Sequence, residues 1–167
     1  MLRILTILLA FSVCTAGSVT AQDTQNLGPV TNLPIPRFVS MKASEANIRR
    51  GPGLTHRIDW VFQHRNMPLR ITAEFSNWRR VEDIDGVGGW VHYSLLSGSR
   101  TVIVKPDLLS MRANASEGAR ENARIEGGAI ARLMECAPDW CRISADGYRG
   151  WVPKDTIWGV AQDEIRE

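Results

Sequence analysis

The side chains of this 167-residue chain that could do chemistry are three histidines (His56, His64, His92), two late cysteines (Cys136, Cys141) and arginine pairs set near tryptophans. The histidines lack a metal-ligand spacing such as H-E-x-x-H. Cys136 and Cys141, with four residues between them, would need further ligands to hold a metal, and no histidine follows residue 105. No serine sits in a nucleophile elbow, and no carboxylate pair is marked out for glycoside cleavage. The expectation is a non-enzymatic chain with no metal and no cofactor. What remains is the chemistry of recognition. Arg49, Arg50, Arg79 and Arg80 carry planar guanidinium forks suited to carboxylates. Trp78, Trp140 and Tyr93 offer large apolar faces with a polar tip. These seven residues are the ligand-binding candidates. The competing readings are solvated strand-edge arginines, and indoles that pack under a loop or between repeats.

The start of the chain sets the compartment. Met1-Leu2-Arg3 is followed by an apolar run from Ile4 to Val13, then by small residues ending at Ala21. This is the order of a secretory signal peptide spanning 1–21, and the apolar run is too short to span a bilayer. No later segment is apolar enough to cross a membrane, so no transmembrane anchor is expected after cleavage. Cleavage also removes Cys14, leaving Cys136 and Cys141 as an even pair in an oxidising compartment, which reads as a disulfide. Residues 22–36, with Pro29, Pro34 and Pro36, read as a flexible leader.

Charge is unevenly spread. Residues 37–104 hold ten Lys/Arg against six Asp/Glu, and residues 105–167 hold nine against eleven. The first half suits an anionic partner, or is simply a solvated surface. A net charge of +2 on an exported chain argues against nucleic acid.

The elements that position these side chains come in two copies, offset by about 62 residues. Ala46-Asn47-Ile48-Arg49 aligns with Leu109-Ser110-Met111-Arg112, and Leu69-Arg70-Ile71 with Ala131-Arg132-Leu133. Trp78-Arg79-Arg80-Val81 aligns with Trp140-Cys141-Arg142-Ile143, and Gly89-Trp90-Val91 with Gly150-Trp151-Val152. Leu69, Ile71, Ala73 and Phe75 alternate with Arg70, Thr72 and Glu74, the period of a half-buried strand. Ser76-Asn77, Asp85-Gly86 and Asp146-Gly147 are hairpin turns. Thr101-Val102-Ile103-Val104 closes or bridges the first copy. Trp78 and Trp140 have the opposite parity to Val81 and Ile143 and so face outward. Trp90 and Trp151, with Gly89 and Gly150, are structural positions. Trp60 and Trp158 lack a counterpart and could seal the contact between copies. Short strands at regular spacing with Gly/Pro turns predict an all-β chain, built as small barrels or sandwiches.

On these residues the chain resembles the bacterial SH3 (SH3b-type) family, and within it the two-repeat exported SH3-like proteins of Gram-negative bacteria. Asn47-Ile48-Arg49-Arg50-Gly51-Pro52-Gly53 is similar to the family opening N-V-R-x-G-P-G. Trp78-Arg79-Arg80-Val81 followed by Gly89-Trp90-Val91 is similar to its W-x-x-V…G-W-V ending. The second copy departs from the opening, with Ala113-Asn114-Ala115-Ser116 in place of Arg50-Gly51-Pro52-Gly53. The resemblance implies two tandem SH3-like small β-barrels, residues 37–104 and 105–160, with a C-terminal tail at 161–167. It also implies a binding role toward peptidoglycan peptide or another anionic envelope component, in the periplasm or on the extracellular side. The alternative is a structural adaptor that docks an envelope protein through a sheet edge or the surface between the repeats.

Overall fold

A computed structural model describes residues 26–167; the expected signal peptide, 1–21, and residues 22–25 of the expected leader lie outside the described residues. The first repeat runs β1 (Arg37–Met41), β2 (Ala46–Arg49), β3 (Ile58–Phe62), β4 (Pro68–Phe75), β5 (Trp78–Glu82), β6 (Gly88–His92), a 3-10 turn at Tyr93–Leu95, and β7 (Leu96–Ser97). The second runs β8 (Thr101–Val104), β9 (Leu108–Arg112), β10 (Glu121–Glu126), β11 (Ile130–Cys136), β12 (Trp140–Ala145), β13 (Tyr148–Pro153), a 3-10 turn at Lys154–Thr156, and β14 (Ile157–Trp158). Each repeat folds into one seven-stranded antiparallel sheet, ordered β3-β2-β6-β5-β4-β1-β7 and β10-β9-β13-β12-β11-β8-β14. The orders are the same, strand for strand. The expected all-β architecture of two tandem SH3-like units is what the chain adopts.

One strand is placed differently from the sequence reading. Thr101–Val104 does not close or bridge the first sheet; it lies in the second, between β11 and β14. It is the counterpart of β1, which lies between β4 and β7. The first sheet therefore ends before residue 101.

Each sheet curls around its own core. Met41, Ile48, Leu69, Ile71, Val81 and Val91 are buried in the first, and Val102, Met111, Ala131, Leu133, Ile143 and Val152 in the second. Burying each of the larger of these side chains, Val, Leu, Ile or Met, stabilises by roughly 1.5–3 kcal/mol. The turns follow the residue chemistry: Asp146 and Gly147 both take positive φ, +49° and +84°, the requirement of a two-residue hairpin.

The alternation expected along β4 breaks midway. Ile71 pairs with Val81, but Ala73, not Thr72, pairs with the next residue, Arg80. Thr72 is the extra residue of a β-bulge, and a bulge reverses which later side chains face the core. Glu74, expected outside, is 6% exposed; Phe75, expected inside, is 58% exposed. β11 carries the same bulge between Leu133 and Glu135.

Both ends of the described residues are bound down. Residues 26–36 form not a flexible leader but a hydrogen-bonded turn, with Leu27 bridged to Pro34. Inside that turn the Glu74 carboxylate accepts from Val30 N at 3.0 Å, Thr31 N at 2.9 Å and the Thr31 hydroxyl at 2.7 Å. The turn is ordered because a buried carboxylate must collect donors. At the other end Arg166 bridges Cys136, and the ammonium of buried Lys154 donates to the Gln162 and Glu164 carbonyls.

The repeats meet along β1, β8 and β14. The rings of Phe38 and Trp158 are edge-to-face at 5.1 Å, and the Arg100 guanidinium lies 5.6 Å from the Phe38 centroid. Arg100 also makes a two-pronged ion pair with Glu164, at 2.8 and 3.0 Å. The Thr101 hydroxyl donates to the Asn66 carbonyl and lies 2.6 Å from the Ser40 hydroxyl. Trp158 thus seals the junction as expected. Trp60 does not: it is 53% exposed on the sheet edge, on β3.

Candidate functional site

The exposed turn between β4 and β5 builds a groove. Phe75 is turned outward by the bulge, and Trp78 follows the turn half-buried on the outer side of β5. The Trp78 and His92 rings are edge-to-face at 5.6 Å, and His92 lies 5.0 Å from the Tyr93 ring. Ser94 holds His92 in place, its hydroxyl 2.7 Å from the imidazole Nδ1. Pro52 and Leu54 of the β2–β3 loop form the opposite wall, enclosing about 410 Å³ with Phe75, Ser76, Asn77, Trp78 and His92. The lining is mostly apolar, with polar groups at the turn, the character of a ligand groove.

The candidate arginines divide. Arg79 is not a free ligand fork. It shares the inward parity of Val81, is 7% exposed, and donates to the Ser76 and Trp78 carbonyls at 2.8 Å each. Its Nε lies 3.5 Å from Glu74, and its guanidinium lies 5.9 Å from the Tyr93 centroid. Arg49 is also committed: it donates to the Leu54 and His56 carbonyls at 2.9 and 2.8 Å, bracing the loop that walls the groove. Arg50 pairs with Asp59 at 3.1 Å on the exposed edge. Arg80 alone of the four is exposed with no side-chain partner among the described residues. Trp90 stands between Arg49 and Arg80 across three strands, and Trp151 stands likewise between Arg112 and Arg142. Gly89 and Gly150 press against β2 and β9, where a Cβ would lie 2.6 Å from the Arg49 carbonyl oxygen and 2.7 Å from Met111 Cβ respectively.

The second repeat has a groove at the same place, of about 390 Å³, on Trp140. Its walls differ. Glu117 stands at the position of Leu54, Asp139 at that of Asn77 and Pro153 at that of His92, with Asp155 nearby. The apolar groove has become an acidic one.

Cys136 and Cys141 form the expected disulfide, joined across paired positions of β11 and β12. The same register in the first repeat, Glu74 opposite Arg79, holds an ion pair. One hairpin is fastened by a covalent bond and the other by a salt bridge. The spacing of about 62 residues puts Glu74 and Arg79 over the two cysteines, so the sequence carried this signal. Burial alone would raise the Glu74 carboxyl, but hydrogen bonds from the Thr31 hydroxyl and backbone, Arg37 and Val30 outweigh it, holding it at about 2.

The fold and these motifs define a bacterial SH3 protein. The bacterial SH3 domain family matches residues 42–98 and 105–159, one match per repeat. The chain belongs to that family. No curated protein matches it. Among solved structures it is similar to NlpC2 from Trichomonas vaginalis, at 12% identity over 73% of this chain and 47% of that one, TM-score 0.34. NlpC1 from the same organism gives 12% identity over 79% and 49%, TM-score 0.35. An NlpC/P60 family protein from Bacillus cereus ATCC 10987 gives 11% over 72% and 55%, TM-score 0.33. The chain spans about half the length of each. No helix among the described residues is long and apolar enough to cross a membrane.

Proposed function

We propose that the protein is a non-enzymatic cell-wall binding module of the periplasm, and that the first repeat's groove takes a peptide of peptidoglycan. The observation that carries this is the outward Phe75–Trp78–His92 surface facing Pro52 and Leu54. An indole edge and a small apolar wall suit the methyl-bearing and extended parts of a short peptide. Arg80, the uncommitted member of the four candidate arginines, is available to a carboxylate. The acidic walls around Trp140 oppose an anionic peptide, so the second repeat supports the first.

Co-sedimentation of the purified protein with isolated sacculi tests this. The unchanged protein is expected to pellet. Trp78→Ala is expected to weaken pelleting at least about tenfold, the scale of losing one aromatic anchor. Trp140→Ala is expected to leave it unchanged. Added salt is expected to have only a modest effect, because Arg49 and Arg79 are engaged inside the fold. Absence of pelleting, or equal sensitivity to both tryptophan changes, would refute this function.

A further inference from the structure

The two repeats build the same sheet edge in two ways. β3 pairs only with β2 and β10 only with β9, so each leaves one side open among the described residues. The registers correspond: Trp60 faces Ile48 as Ala123 faces Met111, and Phe62 faces Ala46 as Ile125 faces Leu109. At the positions of Ile58 and Val61, β10 has Glu121 and Arg124, an exposed ion pair at 2.9 Å. Charge of this kind guards an open edge against further pairing. At those two positions β3 has no charge: Ile58 and Val61, with Trp60 between them, are 41%, 46% and 53% exposed. Its neighbouring cations are also occupied, since Arg50 and Arg57 both bind Asp59, at 3.1 and 2.8 Å. An acidic partner strand would find both of these arginines already engaged.

We propose that β3 is a self-association edge, pairing antiparallel with β3 of a second copy of this chain about a two-fold axis through Val61. The segment Asp59-Trp60-Val61-Phe62-Gln63 is palindromic in character, polar at both ends and apolar within. In this register Trp60 faces the second copy's Phe62, Val61 faces Val61, and Asp59 faces Gln63. Within this stretch apolar residues meet apolar ones, an aromatic pair forms across the strands, and no like charges oppose. The bulge between β2 and β3 falls at Asp59, which has no partner on β2, and leaves Trp60, Val61 and Phe62 in regular pairing. A two-fold contact uses the same surface on both copies, so association stops at the dimer. The proposal is independent of the groove.

Sedimentation of the purified protein over a concentration series is expected to show a monomer–dimer equilibrium. Val61→Arg copies Arg124 and sets two guanidinium groups face to face on the axis. It is expected to be monomeric wherever the unchanged protein is dimeric, with an unchanged far-ultraviolet circular dichroism spectrum. If that variant does not fold, Trp60→Ala, which copies Ala123, takes its place. Val61→Cys reads the register: residues on the axis lie about 4.5–5.5 Å apart between Cα atoms, within reach of a disulfide. Oxidation is expected to yield a covalent dimer from Val61→Cys and none from Ile58→Cys. Three outcomes would overturn the proposal: a monomer at every concentration, including one that pairs only with an added extended peptide; a dimer that survives both edge variants; or equal cross-linking from the two cysteine variants.

Discussion

Glu74 concentrates more physical chemistry than any other side chain here. Its carboxylate is buried, accepts from Thr31, Val30 and Arg37, and lies close to Arg79. Its folded value of about 2 lies below its ordinary 4.5. The ionised form therefore stabilises the fold fully above about pH 4.5, and that contribution is lost as pH falls toward 2. The size is on the order of 3 kcal/mol. Chemical denaturation at pH 7 and pH 3 should show Glu74→Gln clearly less stable than the unchanged protein at the higher pH, with the gap narrowing at the lower. An equal gap at both would mean that the carboxylate's charge is not what matters. The same site explains why Arg79 failed as a ligand candidate. An arginine beside an outward tryptophan reads as exposed until its strand parity with Val81 is counted.

At the scale of the element, the β4–β5 and β11–β12 hairpins are one structure with two fastenings. The closed loop of the disulfide is short, so by the chain-entropy argument it contributes only about 2 kcal/mol. Reduction, or Cys141→Ser, is expected to lower the unfolding free energy by about that amount, read by chemical denaturation. Transplanting the fastening is a stricter check. Glu74→Cys with Arg79→Cys should close a disulfide at the same register, adding no titratable thiol to the denatured, unreduced protein. Free thiols there would show that the two hairpins differ in geometry. The strands, the turns and the repeat itself were legible in the sequence, because the period of two, the Gly-Trp-Val steps and the Asp-Gly turns are local signals. The disulfide followed from an even cysteine count. The bulge was not legible, since an extra residue in a strand leaves no mark in composition. Phe75 and Glu74 were consequently assigned to the wrong faces, and with them the groove wall and the anchor of residues 26–36. Strand β8 was misplaced for a different reason: Thr-Val-Ile-Val fits either sheet, and only its partners decide.

At the scale of the molecule, the two sheets are held by a junction of mixed chemistry. An edge-to-face aromatic pair such as Phe38–Trp158 is worth about 0.5–1.5 kcal/mol beyond its buried area. Trp158→Ala is expected to split thermal unfolding of the joined repeats into two resolved transitions in calorimetry. A single transition would place the coupling instead in Ser40, Thr101 and Arg100. Thr72 and Met134, meanwhile, occupy corresponding places and pair with nothing across their hairpins. Every partner relation beyond them would survive their removal, since Glu74 would still oppose Arg79, and Cys136 would still oppose Cys141. What would go is the kink. A chain shortened by either residue would keep its core, its fastenings and its sequence around the tryptophan, yet hold the turn at a new angle. Width of the opening in this architecture is thus set by chain length, one residue at a time, separately from the residues that line it.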